Sequence, residues 1–500
     1  MSSTTWQKGP YVCSTLADNW KYSNSDNRFI SVMCNMDEQK SETPKKLKMC
    51  INTQTPLVWF IPDSMNVASI NGKSTDLSQL TEGVDYNYSS GGVTRMVFPL
   101  IKHMLGDGTL AEAYWVSLNQ SGPETIKIGG VNHHFVSLKK DQLVNYGNVK
   151  ETMWRAAHGT TTDTNAAADM FMSGDFPDYT YYNRLTAEMI RKLDTEKDFD
   201  LFYIHDFQQL PIGHMLSTLK PKIYRWHTPF DESTIPDNWK ELLITYFNSY
   251  DLVIVSADKY LSSLKSLGYA GKVRKIYPYI DPNEYSRPSD EEISWVGKKI
   301  GINPDDTVML VVARMDPMKG QDKAITAFAS IANTYPKLKL ILVGNGSFSS
   351  SKQGLGLSKA AKWRAQLEEL SNRLGVGNRV IFAGHLTQKE LDAMYERSKF
   401  TILPSIREGF GLVVIESWLH HKACLVTERA GVAELVEEGK NGLLFNPDDV
   451  AALGEKMGKL LDESELTINL GEFGYKTSKL CSMDEGLKAE TKVIKELIEE

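Results

Sequence analysis

Short apolar runs alternate with amphipathic helical segments through most of the chain. Three buried-strand patterns lie in the first half, at 200–204, 222–226 and 251–256. Five more lie in the second half, at 308–312, 338–343, 380–382, 400–403 and 424–427. Helical patterns separate them, at 181–193, 359–373 and 388–398. Strands that alternate with helices are typical of parallel sheets. We therefore predict an α/β fold with two doubly wound, Rossmann-like domains that face each other across a cleft.

A turn with two prolines, Tyr277-Pro-Tyr-Ile-Asp-Pro282, is the natural hinge between these domains. The predicted domains are 81–280 and 281–480. Residues 1–80 are rich in Ser, Asn, Asp and Lys, and we predict an irregular or β-hairpin extension that packs on the first domain. Residues 481–500 hold a polar amphipathic helix. A further helix is predicted at 94–105, where Pro99 should kink it or limit it to short pieces.

Composition excludes several classes of protein. The 500 residues include 56 basic and 63 acidic side chains, so the net charge of −7 gives no overall basic footprint for nucleic acid. No apolar run approaches the roughly 18 residues that a membrane span requires, and no secretory leader is visible. The five cysteines contain no Cys-x-x-Cys pair and are typical of reduced thiols. We expect a cytoplasmic protein, and the oligomeric state stays open.

The most specific motif is Pro404-Ser-Ile-Arg-Glu408-Gly-Phe410-Gly411-Leu412-Val413-Val-Ile-Glu416, directly after the strand at 400–403. The Gly-Phe-Gly turn should open a helix, and the first N–H groups of that helix favour an anion. Glu408 in the loop and Glu416 in the helix should lie on the same rim, where one approaches a sugar and the other a ribose.

Cations follow the strand at 308–312, in Arg314-Met-Asp-Pro-Met-Lys319-Gly320. A guanidinium and an ammonium at one strand end suit a diphosphate. The pair Gly91-Gly92 would let the backbone approach such a ligand closely. Gly344 begins an incomplete G-x-G-x-x-G pattern whose third position is Ser349, so it is weak evidence for a dinucleotide cofactor.

Two polar clusters end neighbouring strands of the first half: Tyr203-Ile-His205-Asp206 and Arg225-Trp226-His227. Carboxyl ends of parallel strands are where such sheets bind ligands. In contrast, Asp198-Phe-Asp200 precedes its strand, so we predict a structural role and no metal site for this D-x-D sequence.

Residues 90–480 resemble the retaining nucleotide-sugar glycosyltransferases of the GT-B fold, specifically glycosyltransferase family four. Glu408 and Glu416 match the E-x7-E pair of that family, and Gly431 and Glu434 match its G-x-x-E. The segments at 204–206 and 224–230 are similar to the acceptor-side motifs of trehalose-forming glycosyltransferases and trehalose-6-phosphate synthases. The segment from Tyr146 through Trp154 to His158 is similar to the acceptor segment of the latter group.

The resemblance implies transfer of glucose from a nucleoside diphosphate glucose, in the UDP or ADP form, to glucose 6-phosphate or glucose, with retention of configuration and without a metal or other cofactor. It assigns the residues to three roles. The catalytic residues are Arg314, Lys319, Glu408 and His227. The donor-binding residues are Gly91, Gly92, Gly344, Phe410, Gly411, Leu412, Val413 and Glu416. The acceptor-binding residues are Tyr146, Trp154, His205 and Asp206. The final helix is expected to cross back to the first domain.

Two alternatives stay open. One is a related transferase with another sugar, a glycerate, a lipid or a glycan as acceptor. The other is a two-domain binding protein or NAD enzyme built on the same sheets. The incomplete pattern at Gly344 argues against the NAD cofactor.

Overall fold

The computed structural model describes residues 46–61, 64, 66–67, 75–89, 92–159, 168–345 and 355–499. Gly91 and most of the predicted extension 1–80 lie outside these residues. Two sheets, the first parallel except for one edge strand and the second entirely parallel, dominate the described part, and helices cover both faces of each. This arrangement confirms the predicted α/β class with two Rossmann-like domains.

The first sheet has eight strands and a small β-ribbon beside it. The strands up to the hinge are β1 (Leu47–Asn52), β2 (Val58–Phe60), β3 (Tyr86–Tyr88), β4 (Leu110–Leu118), β5 (Thr125–Ile128), β6 (Val131–Val136), β7 (Leu201–His205), β8 (Lys222–Arg225), β9 (Leu252–Val255) and β10 (Val273–Lys275). The sheet order is β10-β9-β8-β7-β1-β4-β6-β5, in which only the edge strand β5 is antiparallel, while β2 pairs with β3 as a separate antiparallel ribbon.

The helices of this half are α1 (Gly92–Gly106), α2 (Lys140–Ala157), α3 (Phe176–Lys197), α4 (Ile212–Leu216), α5 (Asp237–Phe247) and α6 (Asp258–Leu267). Helices α2, α3 and α5 bury apolar side chains on one face of the sheet, and α1 on the other. Pro99 lies inside α1, which nevertheless runs without a break, so the prediction of short pieces is wrong.

The second sheet is entirely parallel. Its strands are β11 (Thr307–Val312), β12 (Leu338–Val343), β13 (Val380–Gly384), β14 (Phe400–Leu403), β15 (Ala423–Thr427) and β16 (Leu443–Phe445), in the order β13-β12-β11-β14-β15-β16. The helices of this half are α7 (Asp290–Ile300), α8 (Gln321–Ile331), α9 (Leu355–Arg373), α10 (Gln388–Arg397), α11 (Leu412–Leu419), α12 (Val450–Asp462), α13 (Ser464–Ser478) and α14 (Met483–Glu499).

The predicted extension 1–80 is too long, because β1 is a central strand of the first sheet. It pairs in parallel with β4 on one side and β7 on the other. This strand is only six residues long and contains a lysine and an asparagine, so its hydrophobic pattern is weak. The sequence therefore does not reveal a strand whose side chains from Met49 to Asn52 are completely buried.

The last helix, α14, packs on the first sheet. Leu487 and Ile494 share one apolar cluster with Met49, Tyr203 and Ile254. No helix in the part of the chain that the structure describes is both long and apolar enough to cross a bilayer.

Candidate active site

Lys319 and Glu408 form an ion pair at the carboxyl edge of the second sheet. Strands β11 and β14 are neighbours, so the loops that follow them lie side by side. The Lys319 Nζ atom is 2.6 Å from Glu408 Oε2, and the two side chains are only 14% and 17% exposed. The sequence predicts that both residues lie in the cleft, and the structure adds that they are paired and largely shielded from water.

Local turn geometry sets this pair. Asp316 caps the short turn Pro317–Lys319 by accepting a hydrogen bond from the Met318 N–H at 2.9 Å. Gly320 follows with a positive φ of 65°, and a Cβ atom there would lie 1.9 Å from the carbonyl oxygen of Pro404. Only glycine permits this close approach of the two loops.

Glu408 is held in the charged form. Burial opposes ionisation, but the Lys319 ammonium and a 3.0 Å hydrogen bond from the Ser405 hydroxyl outweigh it, and the pKa of Glu408 is lowered. The site therefore presents a fixed carboxylate beside a fixed ammonium at neutral pH.

The cation predicted at Arg314 lies in the same loop, half-buried, and its backbone carbonyl accepts a 2.6 Å hydrogen bond from Gln321. Gly344 lies beside this loop with φ at 133°, and a Cβ atom there would lie 2.0 Å from the carbonyl oxygen of Ala313. This contact alone explains the glycine at position 344. Its donor-binding role stays a prediction.

Helix α11 begins after Gly411, as the Gly-Phe-Gly turn predicts. Gly411 has φ at 103°, and a Cβ atom there would lie 2.8 Å from the Leu403 side chain. The N–H groups of Leu412 and Val413 open the helix, where no carbonyl precedes them to accept an intrahelical hydrogen bond. Phe410 is buried and packs on Tyr277, so only its backbone can serve a ligand.

Glu416 lies one turn into α11 and is bound by two tyrosines. Tyr285 and Tyr395 donate hydrogen bonds to its two carboxylate oxygens, at 3.1 and 2.9 Å. Burial raises the pKa of Glu416 in spite of these bonds. The two carboxylates of the E-x7-E pair therefore have opposite pKa shifts, and Glu416 is the more easily neutralised.

On the first domain, the end of α2 faces this centre. Trp154 is half-buried, and the ring of His158 stacks on it at 3.9 Å between centroids. Gly159 contacts Arg407, since a Cβ atom on Gly159 would lie 3.0 Å from the Arg407 Nε atom. The C-terminal end of α2 therefore touches the loop that carries Glu408.

His158 is a residue that the sequence reasoning quotes within a motif but does not assign to the site. Its Nδ1 atom lies 2.8 Å from the carbonyl oxygen of Trp154, which can only accept, so Nδ1 carries the proton and Nε2 keeps a lone pair. Burial lowers the pKa of His158 to about 4, and Lys319, Glu408 and Arg314 all contribute to its electrostatic environment. A neutral imidazole therefore lies close to the ion pair.

Asp206 and His227 lie at the ends of β7 and β8. Asp206 has φ 67° and ψ 165°, a backbone conformation that is almost confined to glycine and that marks functional sites when other residues adopt it. Burial raises the pKa of Asp206 to about 6. The positive charge of Lys150, one turn before Trp154 on α2, acts on Asp206 in the opposite direction. Lys150 is a second residue that the sequence reasoning misses.

His227 is partly exposed at the site and is bound by His205, which is buried behind it. The Nε2 atom of His227 is 3.1 Å from Nδ1 of His205, and His205 is completely buried. Burial lowers the pKa of both histidines well below the usual range, so both are neutral. The prediction that His205 contacts the acceptor is therefore wrong. His205 is buried and holds His227 in place.

Tyr146 is also displaced from its predicted role as an acceptor ligand. It is 1% exposed and packs against Tyr179 and Tyr182 in the core of the first domain. The aromatic pattern of α2 is therefore split between the core at Tyr146 and the cleft at Trp154. Gly92, the described member of the predicted glycine pair, is exposed and begins α1.

Two family models match the two halves of this site. Residues 296–477 match the model described as "Glycosyl transferases group 1", and residues 148–262 match "Trehalose synthase, N-terminal domain". The trehalose synthase of Thermococcus litoralis is 27% identical over 304 residues, which are 58% of this chain and 70% of that protein. The D-inositol 3-phosphate glycosyltransferase of Acidothermus cellulolyticus is 31% identical over 195 residues, which are 38% of this chain and 41% of that protein.

The fold matches solved structures over nearly its whole length. The trehalose-6-phosphate synthase OtsA superposes with a TM-score of 0.67 and 17% identity, over 90% of this chain and 98% of that one. This chain has the GT-B fold, and its second half carries a glycosyltransferase domain of the group 1 family. The resemblance seen in the sequence is thereby confirmed, and both halves of the site lie within the matched ranges.

The two domains of the glycosyltransferase are tied together beside the ion pair. The Tyr260 hydroxyl, from α6, is within hydrogen-bond distance of the carbonyl oxygens of Glu408 at 2.8 Å and Gly409 at 2.7 Å. Glu434, the acid of the G-x-x-E motif, accepts a hydrogen bond from the Asp258 N–H at 2.7 Å and pairs with Lys275 at 2.9 Å. The first turn of α6 thus holds the loop of Glu408 in place.

The D-x-D sequence of the glycosyltransferase has a structural role, as predicted. Asp198 ends α3 and pairs with Lys220 at 2.8 Å, while Asp200 precedes β7 and accepts a hydrogen bond from the Lys48 N–H at 2.8 Å. Both therefore lie at the strand end opposite to His205 and Asp206.

Proposed function

We propose that this glycosyltransferase transfers glucose, with retention of configuration, from a nucleoside diphosphate glucose to glucose 6-phosphate or glucose. The product is trehalose 6-phosphate or trehalose. One observation carries the proposal: the end of α2 that bears Trp154 and His158 reaches the loop of Glu408 through Gly159 and Arg407, and His158 lies close enough to Lys319 and Glu408 for their charges to act on it. Donor and acceptor groups thus share one centre, and the acceptor half matches the trehalose synthase model.

In the proposed reaction, the bond between C1 of glucose and the β-phosphate oxygen breaks, and the acceptor hydroxyl bonds to C1 on the same face. The proton of that hydroxyl passes to the departing phosphate oxygen. Lys319 and Arg314 stabilise the negative charge that develops on the diphosphate, together with the first N–H groups of α11. These groups take the role that a divalent metal would otherwise fill, and no cofactor enters the reaction.

The remaining residues orient the two sugars. Glu408 accepts hydrogen bonds from hydroxyl groups of the transferred glucose, and Glu416 binds the ribose. Asp206 and His227 hold the acceptor, whose ring packs on Trp154. Lys150 supplies a cation near Asp206, which favours a phosphorylated acceptor.

Release of nucleoside diphosphate tests the proposal directly. UDP-, ADP- and GDP-glucose are each offered with glucose and with glucose 6-phosphate, and the sugar product is identified by mass and by anomeric proton couplings. The proposal predicts a product with two α-linked glucose units. Release with neither acceptor, or a β-linked product, would refute it.

A second candidate is transfer to a different acceptor, as the similarity to a D-inositol 3-phosphate glycosyltransferase suggests. A panel of inositol phosphate, glycerate, lipid and glycan acceptors distinguishes it from the first. Trp154 offers an aromatic face and the neutral His158 a polar ring nitrogen beside it. This combination favours a single hydrophilic sugar ring over a lipid.

A further inference from the structure

The last helix of the chain carries a buried acid on its apolar face. Leu487 and Ile494 of α14 pack into the first sheet, and Glu490 lies between them at 1% exposure. A carboxylate in such a place requires a partner, because burial of an unpaired charge is strongly unfavourable.

Two residues of the first sheet satisfy Glu490. Its Oε1 atom forms an ion pair with Nη1 of Arg225, which is also 1% exposed. Its Oε2 atom accepts a hydrogen bond from the Tyr203 hydroxyl at 2.9 Å. Arg225 also donates to the carbonyl oxygen of Ile276 at 3.2 Å, just before the hinge.

The same two residues lead to the histidines of the acceptor side. The Tyr203 ring lies 4.1 Å from the His205 ring between centroids, and His205 binds His227 at 3.1 Å. Arg225 is two residues before His227 on the same strand end. Glu490 therefore contacts both supports of the histidine pair.

A purely stabilising role explains this arrangement poorly. Buried ion pairs often contribute little net stability, and apolar residues of similar volume often replace them without loss. Glu490 instead binds Tyr203, whose ring packs on His205, and Arg225, which is the register partner of His205 on β8.

We propose that Glu490 is a positioning residue, which orients the His205–His227 pair through Tyr203 and Arg225. The consequence for turnover rests on the proposed function, whereas the effect on the histidines does not. The end of the chain would thus be required for correct geometry at a site about 265 positions earlier in the sequence, by the numbering of Glu490 and Arg225.

The test compares Glu490→Gln, Glu490→Asp and the apolar double variant Arg225→Met/Glu490→Leu. Glu496→Gln is the matched control, an exposed acid on the same helix. We expect kcat to fall about 10- to 100-fold in Glu490→Gln and in the double variant, because a misplacement of about 1 Å can cost about 100-fold. The KM for the sugar nucleotide should stay unchanged, Glu490→Asp should recover part of kcat, and the control should match the wild type.

The double variant keeps the experiment decisive if Glu490→Gln does not fold. A folded double variant with wild-type kcat would overturn the proposal, and so would an equal loss in the Glu496→Gln control.

A second readout does not depend on turnover. Nitrogen chemical shifts of ¹⁵N-labelled histidine report the tautomers of His205 and His227, assigned by His205→Asn and His227→Asn. We expect these two signals to change in Glu490→Gln and in the double variant, but not in the control. If the wild type transfers no glucose, the proposed function fails, and unchanged histidine signals would separately refute the role of Glu490.

Discussion

Replacing Lys319 by methionine tests the centre of the site. Methionine keeps the apolar stem and removes the ammonium that lies 2.6 Å from Glu408. If Lys319 stabilises charge on the departing diphosphate, its loss should lower kcat about 100- to 1,000-fold, or about 2.7–4 kcal/mol, the usual cost of losing one such group.

The same change should give the enzyme a new pH dependence. In the wild type, Lys319 is the main group that lowers the pKa of Glu408 against the effect of burial. Without it, we expect burial to dominate and the pKa of Glu408 to rise above its usual range, opposed by the Ser405 hydroxyl and by His158. Since Glu408 acts as a carboxylate, the variant should lose more activity at pH 6 than at pH 8.

Stability should respond with the matching sign. A carboxylate with a lowered pKa stabilises the fold above its ordinary pKa of about 4.5, and this contribution is lost as the pH falls through the folded pKa. In Lys319→Met the buried Glu408 is uncompensated, which costs up to about 3–5 kcal/mol at neutral pH and less where Glu408 is protonated.

The assay is nucleoside diphosphate release from pH 5.5 to 8.5, with thermal unfolding at each pH. Lys337→Met is the control, because Lys337 pairs with Asp305 in an exposed position of the same domain, and such pairs contribute about 0–1 kcal/mol. A folded Lys319→Met variant whose kcat is within about threefold of the wild type would refute the charge-stabilisation argument.

Three further predictions concern the rest of the site. Asp206→Asn should lower the rate with the acceptor but raise the free energy of unfolding by about 1–3 kcal/mol above pH 7, because a folded pKa of about 6 means that ionisation of Asp206 destabilises the fold. Wild-type activity should rise as the pH passes about 6, and a flat activity profile from pH 5 to 8 would contradict this. Tyr260→Phe removes the hydroxyl that binds the Glu408 loop, so we expect a higher ratio of donor hydrolysis to transfer. The ratio is measured as free glucose against disaccharide, and an unchanged ratio would exclude a role of Tyr260 in positioning this loop. EDTA should leave the rate unchanged, and a complete loss that Mg²⁺ or Mn²⁺ restores would reject the metal-independent mechanism.

The sequence predicts the second domain of this site well for a simple physical reason. Lys319 and Glu408 are 89 positions apart, but both directly follow strong apolar strands, and such strand ends meet at one edge of a parallel sheet. The glycines at 320 and 411 mark the turns that bring the loops together. The sequence predicts these residues correctly because each motif lies within a few residues of the strand that positions it.

The first domain is predicted less completely because its site depends on burial, which hydrophobic pattern alone assigns poorly. Tyr146 and Trp154 lie on one helix and have similar chemistry, yet only Trp154 faces the cleft. His205 and His227 have equivalent places at neighbouring strand ends, yet one supports the other. Strand β1 is missed for a different reason. It is short and contains a lysine, so its hydrophobic pattern is weak although it lies between β4 and β7 in the sheet.

The pattern of α14 did hold evidence for the Glu490 network. Leu487, Glu490, Thr491 and Ile494 have the spacing of one helix face, and an acid among the apolar members of such a face predicts a buried cation elsewhere. Arg225 belongs to the buried-strand pattern at 222–226 and ends β8, and it is the residue that Glu490 binds. An acid on an otherwise apolar helix face and a base at the end of a buried strand therefore predict each other, and their pairing indicates which strand a terminal helix covers.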